Sequence, residues 1–179
     1  MFNLFKKKQE TVRIIDKIWM SEAAKHNGIL DLCRKDPELV TLCWFDETYQ
    51  RLTTLFTKET ISPASLLIVK EAHIPRRNGK NIIFAEHYPM LKKEQELFKQ
   101  LQLAEAVVYS AMDEPLFKYF GGDQVIELMK KLGAEENSVI EHKMISSSIK
   151  NAQEKIEKKV LAEHSAYSQK EWIERNLTG

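Results

Sequence analysis

The sequence predicts a largely parallel α/β sheet followed by a helical extension, on three observations. Short apolar runs alternate with segments of helical spacing through the first two thirds of the chain. Strands separated by helices need crossover connections, and these make neighbouring strands parallel. After Glu114 no strand signal returns, and every later pattern is helical. The 179 residues fit one compact domain with an appended arm. We divide them into an α/β domain over 1–139 and a helical extension over 140–179.

Val12 to Cys33 is rich in helix formers, with Ile14, Ile15, Ile18 and Trp19 as an apolar face and Asn27-Gly28 as a potential break. Asp36-Pro37 punctuates, and Leu39 to Phe45 (LVTLCWF) reads as a strand buried on both faces. Glu47 to Thr57 returns to helical spacing through Tyr49, Leu52, Leu55 and Phe56. Ser65 to Val69 (SLLIV) and Asn81 to Ala85 (NIIFA) read as strands on either side of turn chemistry at 75–80. Met90 to Gln102 reads as a helix burying Met90, Leu91, Leu97, Phe98 and Leu101, and Ala104 to Tyr109 as a fourth strand. Val125, Leu128, Met129 and Leu132 form a helix face that ends at Gly133, a fitting C-cap. From Ile140 a narrow stripe runs Ile145, Ile149, Ala152, Ile156 and Val160 along a charged helix. Such a stripe needs one partner surface, either its own domain or another chain.

With 43% apolar and 30% charged residues the composition is that of a folded globular chain, not a disordered one. A net charge of +1 with interspersed signs gives no basic stripe, which argues against a nucleic-acid partner. Cys33 and Cys43 are the only cysteines and suit reduced thiols in a cytoplasm. No apolar run approaches the roughly 20 residues that span a bilayer. At the N-terminus apolar Phe2, Leu4 and Phe5 precede Lys6, Lys7 and Lys8, the reverse of a signal peptide. The same residues would suit a short membrane-surface foot, although one such cluster binds weakly.

The stretch from Val107 to Lys159 carries the most specific information. It holds Val108-Tyr109 at a strand end, then Asp113-Glu114, Leu116, Phe120, Asp123, Val125 and Leu128-Met129. Lys131-Leu132-Gly133, Ile140-Glu141, Ile149, Ala152-Gln153 and Lys155 follow. In order and spacing these residues resemble the SecA preprotein-translocation ATPase family, where the last strand of the second motor domain runs into the long scaffold helix. The resemblance implies a reduced RecA-like (P-loop NTPase-like) sheet flanked by helices, with residues 140–179 at the start of the scaffold helix. By the same analogy it implies a protein partner, either a translocase component or a preprotein. Ile82 to His87 is similar to the family's strand that ends in a threonine-glutamate-arginine-histidine turn.

Beyond that turn the family needs arginine and glycine, because guanidinium groups must reach the ATP phosphates. Here the segment reads MLKKEQELFKQLQLAE, and Lys92 and Lys93 lack the planar guanidinium fork. No GxxxxGK[ST] occurs, since Ile74 stands where the first glycine before Gly79-Lys80 would be, and the sequence shows no counterpart of the first motor domain. A degenerate ATPase without a cofactor or catalytic residues is therefore expected. Asp46-Glu47, although placed like a magnesium-binding acidic strand end, suits a helix N-terminus without a phosphate cradle.

The remaining candidates are few. Arg76, Arg77 and Lys80, on a turn with a free Gly79 amide, form the best anion-binding candidate. With the strand end at Glu86-His87 they support an alternative reading as a nucleotide- or phosphate-binding regulator or enzyme. None of His26, His73, His87, His142 and His164 has metal-site spacing, so Glu86-His87 and Glu141-His142 are expected in ordinary surface or supporting roles. Ser146, Ser147 and Ser148 lack a GxSxG elbow and read as small residues that permit close packing. Trp172-Ile173 is an apolar pair in a charged tail that either tucks against the domain or docks on a partner. Ile145, Ile149, Ala152, Ile156, Val160 and Trp172 are the expected partner-facing residues, with self-association through the C-terminal helix as a further expectation.

Overall fold

The computed structural model describes residues 11–70, 81–131 and 133–177. Strand β1 (Arg13–Trp19) leads into helix α1 (Glu22–Lys35), and β2 (Val40–Cys43) into α2 (Asp46–Lys58). A short 3-10 turn at Pro63–Ser65 precedes β3 (Leu66–Ile68). Then come β4 (Ile82–Phe84), α3 (Leu91–Gln100) and β5 (Glu105–Ala111). The chain continues as α4 (Pro115–Tyr119), α5 (Gly122–Lys131), α6 (Lys143–Lys159) and α7 (Gln169–Leu177).

Among the described residues the strands form one all-parallel, five-stranded sheet in the order β1-β5-β4-β2-β3. The chain steps outward from β1 through β2 to β3, then back through β4 to β5. Because crossovers between parallel strands are right-handed, the two directions place their helices on opposite faces. On one face α1 and α2 pack Ile29, Leu30, Leu52 and Phe56 against Trp19, Ile83 and Tyr109. On the other, α3 packs Phe98 against Leu42, Phe84 and Val108. Successive strand residues serve alternate faces, as the two-residue period of a strand requires.

The helix expected over Val12 to Cys33 is corrected in its first half, which is β1. Ile14, Ile15 and Ile18 are β-branched and suit a pleated surface, and Ser21 caps α1 by accepting from the Ala24 N–H at 3.2 Å. Asn27-Gly28 does not break α1. A Cβ on Gly28 would lie 2.7 Å from the Trp19 ring, so glycine there lets the helix approach the strand. The face of α3 also differs from expectation. Phe98 is buried, but Glu94 and Gln95 share its burial, whereas Met90, Leu91, Leu97 and Leu101 are half-covered.

The C-terminal helices pack back onto the sheet domain. Ile140 bridges the outer edge of β1, exchanging backbone hydrogen bonds with Ile18 at 3.2 and 2.7 Å. Helix α6 stops at Lys159, and α7 places Trp172 beside Phe45, Tyr88, Leu116 and Ile156 in one apolar cluster. Gly133 takes the positive φ of +81° expected of a helix C-cap.

Candidate functional site

In a parallel α/β sheet the natural ligand crevice lies beyond the strand C-termini, where the connections reverse direction. Here that point falls between β2 and β4. Helix α2 starts there, and its N-cap residue, Phe45, has no side-chain acceptor to offer. Glu86, just past β4, supplies one. Its Oε1 accepts from the Trp44 and Phe45 amides at 3.1 and 3.0 Å, and its Oε2 accepts from the Thr48 hydroxyl at 2.6 Å. A carboxylate from the chain itself thus sits where the dipole and free amides of α2 favour an anion.

Behind it lies Lys25, only 2% exposed, which donates to the Ala85 carbonyl at 2.7 Å and pairs with Glu114. Burial works against the Lys25 charge, but Glu114 and then Glu86 outweigh it and raise its pKa. One ammonium serves two buried carboxylates, and desolvation pushes Glu114 up to about 7 and Glu86 upward despite Lys25. Asp113 caps the neighbouring helix by accepting from the Glu22 amide of α1 at 2.8 Å. The N-termini of α1 and α2 therefore each carry a carboxylate from the chain.

His87 builds a second buried network toward the opposite face. Its ring nitrogens lie 2.9 Å from Asp16 of β1 and 2.9 Å from Glu94 of α3. Desolvation opposes protonation, but Glu94 and Asp16 overcome it and raise His87 to about 10, so both nitrogens donate. Asp16 is held below its usual pKa, because His87 outweighs the burial that would raise it. Glu94 also accepts from the Tyr88 amide at 2.7 Å, and Gln153 of α6 donates to Glu94 and to the Tyr88 carbonyl at 2.8 and 2.7 Å. Gln169 of α7 joins the chain at both ends of this region, donating to the His87 carbonyl at 3.0 Å and accepting from the Leu116 amide at 2.8 Å.

Of the anion candidates, Arg76, Arg77 and Lys80 lie outside the described residues, as does the segment Phe2 to Lys8. Glu86 and His87, expected in ordinary roles, are instead the buried hubs of both networks. Asp46 and Glu47 occupy the first turn of α2, where acids suit the helix dipole. Cys33 and Cys43 are free and buried, and desolvation raises both thiols. Among the described residues no group of histidine, cysteine or acidic side chains is placed to hold a metal, and no helix is long and apolar enough to cross a membrane.

The stripe expected to face a partner is seated on the chain itself. Ile149, Ala152, Ile156 and Trp172 are all buried, while Ile145 and Val160 are half-covered. A narrow stripe needs one apolar surface, and its own domain supplies it. Among the described residues, one apolar surface left open is a groove of about 230 Å³ between α4, α5 and the start of α6. Phe117 and Ile145 line it, and Phe120, Val125 and Met144 rim it at 40%, 39% and 72% exposure. Sequence reasoning did not single out this groove, nor the network partners Lys25, Asp16 and Glu94, and it named Gln153 only as part of the SecA-like spacing.

The fold and crevice define a small parallel α/β domain whose ligand-binding edge is occupied by its own side chains. Comparison with known proteins gives that class a relationship. The chain is homologous over part of its length to SecA, the protein translocase subunit. It is 47% identical over 58 residues to SecA of Chlorobaculum tepidum, covering 32% of this chain and 6% of that protein. With SecA of Chlorobium phaeovibrioides it shares 33% over 93 residues, 50% of this chain and 9% of the relative. The match to SecA 1 of Alkaliphilus metalliredigens is 29% over 115 residues, 62% of this chain and 12% of the relative. The matched part therefore spans about a tenth or less of the length of these relatives. No family model matches the chain.

Proposed function

We propose that this chain is a non-catalytic, SecA-related domain that acts through contacts with other proteins of preprotein translocation. The observation that carries this reading is the filled crevice at the reversal point of the sheet. Glu86 holds the N-terminus of α2, and Lys25 with Glu114 occupies the space behind it. A nucleotide phosphate at this helix would have to displace a buried carboxylate that already makes three hydrogen bonds.

The contact surface in this reading is the open groove between α4, α5 and α6. Met144 and Val125 expose apolar surface at its rim and touch neither buried network, which is the behaviour of an interaction face. The partner we assign, on the partial homology, is SecA itself or its channel.

Two measurements test the proposal. Calorimetric titration with ATP and with ADP is expected to give no saturable binding; micromolar affinity or any ATP turnover overturns the non-catalytic reading. Affinity capture from native cells is expected to recover SecA or a channel subunit with the wild type. The double variant Val125→Glu/Met144→Glu, with an unchanged melting temperature, is expected to lose that capture. Equal capture by both forms removes the groove as the contact surface.

A further inference from the structure

No apolar side chain of α5 is buried among its described residues. Ile126 and Met129 are half-covered against Ile18, Met112 and Ile149, whereas Val125 and Leu128 stand 39% and 56% exposed. A helix of 10 residues is marginal in water by itself and takes its stability from packing. Here the chain supplies that packing on the side of Ile126 and Met129 only. Val125 and Leu128, one turn apart, form a second apolar stripe that faces solvent.

The charges beside that stripe specify what fits on it. The first turn of α5 is acidic at Asp123 and its last turn basic at Lys130 and Lys131, with Glu127 between them. None of these four side chains makes an ion pair or hydrogen bond with another described residue. Other exposed helices close their pairs at a spacing of four: Lys92 with Glu96 on α3 at 4.0 Å, and Lys150 with Glu154 on α6 at 3.9 Å. Glu127 and Lys131 stand at the same spacing and in the more favourable orientation, yet form none.

A face that is apolar in the middle, acidic at one end and basic at the other complements its own copy turned end for end. About a two-fold axis near Leu128 and Met129, Glu127 of each copy meets Lys131 of the other, the reciprocity of an isologous interface. The helix dipoles then oppose each other, so each end lies beside one of opposite sign. We propose that two copies of this chain pair antiparallel through α5, covering Val125 and Leu128. Val125 also rims the apolar groove, so the pair covers one wall of the surface assigned to a translocation partner. As a control on that surface the pairing rests on that reading; as an association of the chain with itself it stands alone. One 10-residue helix on another is a small contact of the transient kind, with a dissociation constant on the order of 10–100 μM.

Sedimentation equilibrium of the full chain over roughly 5–500 μM tests this, with monomer expected at the lower end and dimer at the upper. Leu128→Glu, at an exposed position and with a wild-type melting temperature, is expected to stay monomeric throughout. Glu127→Lys and Lys131→Glu each put like charges at both symmetric contacts and should each weaken association by about tenfold. The double variant Glu127→Lys/Lys131→Glu keeps the wild-type net charge and is expected to restore association. A wild type that stays monomeric, a dimer that survives Leu128→Glu, or a double variant no tighter than the single ones overturns the proposal. Affinity capture of SecA reports separately: an intact dimer without capture removes the translocation partner and leaves the pairing, and capture by a monomeric wild type removes the pairing alone.

Discussion

Glu86 and His87 are adjacent, yet they reach different helices and play opposite electrostatic parts. Glu86 is a buried acid that completes a helix N-terminus, and His87 is a buried base shared by two acids. The His87 arrangement has a pH signature. The folded chain holds the imidazole proton up to about pH 10, whereas the unfolded chain releases it near the ordinary value of 6.5. A raised pKa of this kind contributes stability that is complete below pH 6.5 and is lost as pH rises through 10. The unfolding free energy of the wild type, measured by urea denaturation, should therefore fall across that window relative to His87→Gln. The difference between the two should shrink by an amount on the order of a few kcal/mol. A difference that stays constant with pH would show that His87 is not held protonated.

At the scale of elements, β2 to β5 were legible as short apolar runs bounded by turn residues, and α2 and α3 by their helical apolar spacing. β1 was not: Ile14, Ile15, Ile18 and Trp19 fit a helical face and no strand alternation, and only pairing with β5 makes them a strand covered on both faces. The buried networks left fainter signals. Glu94 and Gln95 interrupt the face of α3 between Leu91 and Phe98, and Lys25 lies one turn before Ile29 and two before Cys33. A charge on an apolar face is visible in sequence, but its partner is not, because Lys25 and Glu114 lie 89 residues apart. The partner-facing stripe was legible as a stripe, and what covers it is a tertiary fact. The α4–α5 junction gives a prediction of its own. A Cβ on Gly122 would lie 2.4 Å from the Met112 carbonyl oxygen and 3.0 Å from the Phe117 carbonyl carbon, both backbone atoms. Gly122→Ala must shift this turn, and we expect a loss of about 1–3 kcal/mol in denaturant unfolding, with reshaping of the apolar groove it lines. An unchanged midpoint would contradict this packing.

Across the whole molecule, the sheet and the helices after Ile140 share their apolar clusters. Ile18 and Met112 pack with Ile149, and Phe45, Tyr88 and Leu116 pack with Ile156 and Trp172. A chain cut after residue 139 would expose these side chains together with Glu94, which loses Gln153. We expect such a truncation to lose cooperative thermal unfolding and to bind a hydrophobic dye, whereas the full chain melts in one transition. A sharp, wild-type-like transition in the truncated chain would mean that the sheet closes without α6 and α7.

Trp172 also imposes an order of events on biosynthesis. The cluster around Tyr88 and Leu116 cannot close until residues 169–177 have cleared the ribosomal exit tunnel. A nascent chain that already contains the complete sheet therefore keeps an apolar flank open for that interval.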